Sequence, residues 1–217
     1  YGSPSLEELC AGKKDIVIIS SDHTRPVPSR VTMPILLHHI HSAAPEARVR
    51  ILVATGMHRP STHEELVNKY GEEIVANEEI VMHVATDDSM MKKIGTLPSG
   101  GECIINKIAA DCDLLLAEGF IEPHFFAGFS GSRKSVLPGI ASYKTIMYNH
   151  NGQFVNDSRS RAGNLCHNHV SEDMFAAAEM AHLAFVLNVV LNGKHEVIGS
   201  FAGDIHKAHE AGCEFVK

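Results

Sequence analysis

Short apolar runs alternate along this chain with stretches of helical periodicity. Asp15-Ile16-Val17-Ile18-Ile19-Ser20 follows Gly12-Lys13-Lys14 and predicts a strand. Arg48-Val49-Arg50-Ile51-Leu52-Val53-Ala54 predicts a second, and Leu114-Leu115-Leu116-Ala117 a third. The β-branched stretch 184–191 and the stretch 197–201 predict two more, with short candidates at 80–84 and 103–105. Runs that are apolar throughout, rather than alternating, are buried on both faces, as the strands of a parallel sheet are. Helices are predicted over 32–43, from a capping box at Ser61-Thr62-His63-Glu64 to Gly71, over 106–111, from a cap at Ser171 to about 181, and over 204–211. The pattern implies an α/β fold: a three-layer helix–sheet–helix domain with a mostly parallel, Rossmann-like sheet. No repeat, low-complexity tract or linker interrupts it, so residues 1–217 read as one domain.

Three strands run into loops too polar or too glycine-rich to be mere connectors. The first empties into Asp22-His23-Thr24-Arg25-Pro26-Val27-Pro28, the second into Thr55-Gly56-Met57-His58-Arg59-Pro60, and the third into residues 118–135. Open parallel sheets bind ligands outside the carboxyl ends of their strands, so all three loops are expected on one edge.

Composition narrows the function classes. The 217 residues are 44% hydrophobic and 21% charged, which excludes disorder. A net charge of -7 argues against nucleic acid as a partner, because phosphate backbones need a basic footprint. Five cysteines, an odd number with no CxxC pair, argue against a disulfide framework or a thiolate zinc site and point to a reducing, cytoplasmic setting. No apolar run approaches the ~18 residues of a membrane span. The first residues lack a signal-peptide layout and an initiator Met, so a leading segment is expected to be missing. Fifteen histidines with no tryptophan raise the prospect of proton transfer or metal chemistry.

Gly128-Phe129-Ser130-Gly131-Ser132-Arg133-Lys134-Ser135 misplaces both glycines of a P-loop, although its glycines and two cations suit an anion. His63-Glu64-Glu65-Leu66-Val67 is no zincin helix, since Val67 stands where the second histidine belongs. His38, His39 and His41, the pair His167 and His169, and the pair His206 and His209 read as surface residues. His58, His124 and His150 lie in or near Gly/Pro-punctuated loops at strand ends. His124, between Pro123 and Phe125-Phe126, is expected to be a buried neutral base. Asp22, Thr24 and Arg25 put a carboxylate, a hydroxyl and an anion fork in one turn, and a plain Asp–Arg pair is the alternative there.

Taken in order, these motifs, together with Glu122-Pro123-His124-Phe125-Phe126-Ala127-Gly128-Phe129-Ser130-Gly131, Arg133-Lys134-Ser135-Val136-Leu137-Pro138-Gly139-Ile140 and Asn149-His150, resemble the nickel-dependent lactate racemase family. The resemblance runs through Ser200-Phe201-Ala202-Gly203-Asp204. It implies a nickel-pincer nucleotide, a pyridinium-3-thioamide-5-thiocarboxylic acid mononucleotide carrying Ni, joined covalently to Lys134. It further implies His150 as the protein ligand of nickel, His58 and His124 as catalytic bases, and Arg25 as the holder of the substrate carboxylate. Asp22, Thr24, Gly131 and Arg133 become cofactor-binding candidates. The implied reaction interconverts D- and L-lactate by hydride transfer through pyruvate, with no membrane or nucleic-acid partner.

Two features depart from the family. Ser132 stands where its glycine-rich loop is expected to continue with Gly. The family protein is also about twice as long, so 1–217 is expected to be the N-terminal, cofactor-bearing domain. A C-terminal domain, and enzymes that synthesise the cofactor, are the implied partners. A racemase or epimerase of another 2-hydroxy acid, a non-catalytic nucleotide- or anion-binding domain, and a phosphotransferase are the rival readings.

Overall fold

The structure is a computed structural model describing residues 1–217. Its strands are β1 (Asp15–Ser21), β2 (Arg48–Ala54), β3 (Glu79–Met82), β4 (Met91–Thr96), β5 (Glu102–Asn106), β6 (Leu114–Phe120), β7 (Pro123–His124), β8 (Gly128–Phe129), β9 (Leu183–Leu191) and β10 (Val197–Gly203). Its α-helices are α1 (Leu6–Cys10), α2 (Ser29–Ala43), α3 (His63–Tyr70), α4 (Glu72–Asn77), α5 (Lys107–Asp111), α6 (Arg133–Val136), α7 (Tyr143–Asn149), α8 (Gly152–Val155), α9 (His169–Met180) and α10 (Lys207–Val216).

Six strands form the central sheet in the order β10-β9-β6-β1-β2-β3. All neighbours pair in parallel except β10, which runs antiparallel to β9. The unbroken apolar runs are explained by two cores, one on each face. Ile16, Ile18, Ile51, Val53, Leu114 and Leu116 pack against Leu6, Met33, Leu37, Ile40, Tyr70 and Ile74 from α1 to α4. The alternate residues Val17, Ile19, Leu52, Leu115 and Ala117 pack against residues of α9, α10, α6 and the β4–β5 hairpin region. Successive strand side chains point to opposite faces, so a strand between two helical layers must be apolar at every position. Each such side chain contributes about 1.5–3 kcal/mol when fully buried. This is the expected three-layer α/β fold.

Local boundaries differ where side chains compete for a cap. Both Ser61 and Thr62 have a glutamate three residues on. Thr62 is the cap, because Glu65 is fixed by Arg59 at 2.6 and 2.8 Å while the Ser61 hydroxyl pairs with His23 Nδ1 at 2.9 Å. The helix expected from Ser171 begins earlier, at His169, because Asn168 caps it by accepting from the Ser171 amide. Strand β4 carries no apolar signature, since Lys92 and Lys93 face solvent on a two-stranded edge.

Candidate active site

The three loops open on one edge of the sheet, as their sequence suggested. They enclose a cleft of about 370 Å³ lined by Asp22, Arg25, Thr55, Gly56, Met57, His58, His124, Phe125, Phe126, Gly131, Lys134 and His150 among others.

On one side of the cleft a buried carboxylate orients a histidine. Asp22, 1% exposed, accepts the Thr24 hydroxyl at 2.6 Å and the Thr24 amide at 3.1 Å on Oδ1. Its Oδ2 lies 2.7 Å from His58 Nδ1. A carboxylate only accepts, so Nδ1 carries the proton and Nε2 is left as the basic nitrogen of the neutral ring. Burial acts to raise the Asp22 carboxyl, but the Thr24 and His58 hydrogen bonds outweigh it and leave it below the ordinary carboxylate range.

On the other side, Lys134 and His124 meet. Short helix α6 presents Lys134, whose Nζ sits 3.0 Å from His124 Nε2 and 5.6 Å from the centroid of Phe126. His124 is stacked on Phe125 and meets the edge of Phe126, and its Nδ1 accepts the Ala127 amide at 3.2 Å. Burial first, then the charges of Lys134, His150, Arg133 and Arg25, push His124 down to about 3. Burial, followed by Arg133 and Arg25, pushes Lys134 down to about 7. His150, at the C-terminus of α7, packs edge-on against Phe126. Burial and the Lys134 charge push it down to about 4, against the opposing Ile146 carbonyl. Its Nδ1 is buried without a hydrogen-bond partner. No group of three or more His, Cys, Asp or Glu side chains is placed to hold a metal ion.

Arg25 lines the cleft with no hydrogen-bond or ion-pair partner for its guanidinium, which leaves it available to an anion. The Asp22–Arg25 pair weighed as an alternative does not form: Asp22 is taken by Thr24 and His58.

Two expected cofactor contacts are placed elsewhere. Arg133 is 1% exposed and turned away from the cleft. Its guanidinium donates to the carbonyls of Ala127, Phe129 and Ser130 and to Ser171 Oγ, and it lies over the Phe175 ring. It therefore braces the loop that carries Lys134 from behind. Thr24 is likewise no part of the cleft lining, because its hydroxyl and amide both serve Asp22. Gly131 does line the cleft. Its φ of +115° and a Cβ position only 2.6 Å from His209 Cδ2 explain why no side chain stands there. Ser132 fits in place of glycine because its amide and hydroxyl both bond Asn188 Oδ1 on β9, at 2.9 and 2.7 Å.

His209, expected on the surface, is 2% exposed, with Nε2 2.6 Å from Arg133 Nη1. The same nitrogen lies 2.8 Å from the Ser130 carbonyl, and burial followed by the Arg133 charge pushes the ring down to about 3, against that carbonyl. Three further residues had no reading from sequence. Phe126 touches His124, Lys134 and His150 at once. Glu118 is a fully buried carboxylate at the floor of the cleft. His83, also fully buried, bridges the Ala141 carbonyl and Asn106. Glu118 was legible in principle, as the one charge in an otherwise apolar strand run.

Residues 1–163 match the model for the lactate racemase N-terminal domain. The lactate racemase of Lactiplantibacillus plantarum is 70% identical over 216 residues, covering 100% of this chain and 51% of that protein. That of Thermoanaerobacterium thermosaccharolyticum is 54% identical over 215 residues, covering 99% of this chain and 50% of that protein. The chain thus spans about half the length of these curated relatives. The solved apoprotein structure of the Thermoanaerobacterium thermosaccharolyticum lactate racemase superposes with a TM-score of 0.98 at 53% identity, over 99% of this chain and 52% of that one. A Thermotoga maritima protein of 23% identity shares the fold, with a TM-score of 0.82 over 97% of this chain and 57% of that one. On the family match and these identities, the chain belongs to the lactate racemase N-terminal domain family.

Proposed function

We propose that this chain is the cofactor-bearing part of a cytoplasmic lactate racemase that interconverts D- and L-lactate. The observation that carries the reading is the convergence of Lys134, His150, His58, His124 and Arg25 on one cleft from four separate segments. The residues fit a nickel-pincer nucleotide. Lys134 offers an amine largely neutral above pH 7, as covalent attachment requires. His150 offers a neutral imidazole, the form that binds metal. The unpartnered, buried Nδ1 of His150 is the atom open to a metal, and with no cluster of three or more protein ligands the remaining ligands would come from the cofactor itself. When bound, the nucleotide supplies a reversible hydride acceptor, so that lactate passes through pyruvate.

The protein's own part is binding and proton transfer. Arg25 holds the lactate carboxylate. His58, with Nδ1–H fixed by Asp22, presents Nε2 to take the hydroxyl proton. His124 is the second histidine of the proton transfer: burial among aromatic rings keeps it neutral, and with Nδ1 accepting the Ala127 amide its Nε2–H is the proton it can give. A racemase moves the hydroxyl proton on both faces of lactate, and two histidines from different loops, one poised to take a proton and one to give it, divide that task. A C-terminal domain would complete the pocket, and cofactor-synthesising enzymes would load it. The test is nickel analysis and intact mass of the full-length protein made in cells that synthesise the cofactor, with chiral analysis of lactate. Absence of both a mass increment on Lys134 and racemisation would sink the reading.

A further inference from the structure

Glu118 has no place in the chemistry above. It is fully buried at the carboxyl end of β6, with no cation within ion-pairing distance. A buried carboxylate without a cation needs several hydrogen-bond donors. Glu118 has three, all hydroxyls. Ser20 Oγ donates to Oε1 at 2.5 Å, Ser29 Oγ donates to the same oxygen, and Thr32 Oγ1 donates to Oε2. The buried Tyr70 hydroxyl donates in turn to Ser20 Oγ at 2.8 Å.

The placement of these donors is informative. Ser20 ends the buried part of β1, and Ser29 is the first residue of α2. Between them lies the loop that bears Asp22, Thr24 and Arg25. One carboxylate oxygen therefore ties together the two ends of that loop, and the other anchors the first turn of α2. Within the loop Asp22 has further anchors in Thr24 and His58, whereas the Arg25 side chain has none. Its position depends on how the loop is closed at its base. Pro26 and Pro28 limit the conformations of the loop but donate no backbone hydrogen bonds.

We propose that Glu118 is a positioning residue, a clasp that closes the Asp22–Arg25 loop and thereby sets the anion-binding guanidinium over the cleft. Its acceptor-only character matters, because three hydroxyls converge on it. A glutamine would replace one acceptor by a donor facing a hydroxyl. The role assigned to Arg25 rests on the lactate racemase reading, whereas the clasp does not.

The test uses the full-length protein. In Glu118→Gln, the amides of Thr24, Arg25 and Ser29, which are hydrogen-bonded within the loop, should exchange with solvent about tenfold faster or more. The amides of Ile18 and Ile19 in the middle of β1 should keep wild-type rates. In the cofactor-loaded protein the same variant should raise KM for lactate about tenfold with little change in kcat, as loss of uniform substrate binding does. Ser29→Ala, which removes a single arm of the clasp, should show the same loop-confined effect more weakly and serves if Glu118→Gln fails to fold. Wild-type exchange in the loop in both variants overturns the proposal. So does equal acceleration through β1 and the loop, which marks a general loss of stability. Loop-confined acceleration with unchanged KM upholds the clasp and overturns the role given to Arg25.

Discussion

Lys134 Nζ and His124 Nε2 face each other at 3.0 Å, and the far side of the histidine decides what passes between them. His124 Nδ1 accepts the Ala127 amide, so a neutral ring carries its proton on Nε2. That proton points at the lysine, and only an unprotonated amine can accept it. The local hydrogen bonding and the displacement of Lys134 to about 7 thus agree on an uncharged lysine above neutrality.

One consequence is selective reactivity. At pH 8 an amine of pKa about 7 has a neutral fraction on the order of 10²-fold larger than an ordinary lysine near 10.4. Lys134 should therefore react with an amine-directed arylating reagent ahead of the surface lysines, with a rate that rises through pH 7 and levels off above it. Peptide mapping after brief treatment with trinitrobenzenesulfonate checks this. A rate still climbing at pH 10 would show an ordinary lysine.

The Asp22–His58 contact makes a second prediction. Asp22→Asn keeps the shape of the side chain but can donate to Nδ1, which favours the ring tautomer with its proton on Nε2. The base then points the wrong nitrogen at the substrate. In the loaded full-length enzyme kcat should fall about 10²–10⁴-fold with KM little changed. A loss confined to KM would place Asp22 in substrate binding instead.

Arg133 bears on stability rather than chemistry. It bonds three backbone carbonyls in the segment just before Lys134, all in the protein interior. Arg133→Met leaves those acceptors without their donor and removes the contact with His209. The cost should be about 3 kcal/mol or more in urea unfolding. A loss below about 0.5 kcal/mol, typical of surface changes, would show that the brace is dispensable.

How much of this the sequence disclosed follows from what each residue's neighbours in the chain reveal. The strands were legible because burial on both faces leaves an unbroken apolar run, as at Ile16 to Ile19. The cleft was legible because its loops follow those strands directly. Arg133 and His209 were not, because the two lie 76 residues apart and meet only when α10 packs behind the glycine loop, and the nearer partners of Arg133 are backbone carbonyls, which every sequence offers alike. An arginine beside Lys134 in a polar segment looks like an anion ligand until the fold turns it inward. The hairpin strand β4 was hidden because an exposed edge imposes no apolar pattern.

Acid should destabilise the domain through its buried histidines. His83 is fully buried, with Nε2–H donated to the Ala141 carbonyl and Nδ1 accepting from Asn106. A second proton on this ring would face the Asn106 amide donor. Burial, opposed only by the Ala141 hydrogen bond, pushes its pKa to about 4. Between about 6.5 and 4 the unfolded chain binds this proton and the folded one does not, so stability rises with pH across that window. It is complete above 6.5 and declines as pH falls, by about 3 kcal/mol for His83. His124, His150 and His209 act in the same direction. Urea midpoints at pH 7.5 and 4.5 should differ sharply in the wild type and less in His83→Gln. Equal differences in the two proteins would remove His83 from the account.

The two candidate bases are the least alike of the site's pairs, and that asymmetry can be measured in the loaded full-length enzyme. His58 is partly exposed and oriented by a carboxylate. His124 is packed between aromatic rings and faces Lys134. If each serves one face of lactate, a full turnover uses both, one as base and the other as acid. Neither His58→Ala nor His124→Ala should then racemise, with losses toward the upper end of the 10²–10⁴-fold range for a general base. The half-reaction separates them. Each variant should retain hydride transfer from one enantiomer better than from the other, with opposite preferences. Single-turnover oxidation of pure D- and L-lactate to pyruvate reads this directly. Cofactor loading, checked by intact mass, must match wild type in His124→Ala, since His124 touches the attachment lysine. Equal loss of both enantiomers in loaded His124→Ala would make that residue a partner of Lys134 and leave His58 as the sole base.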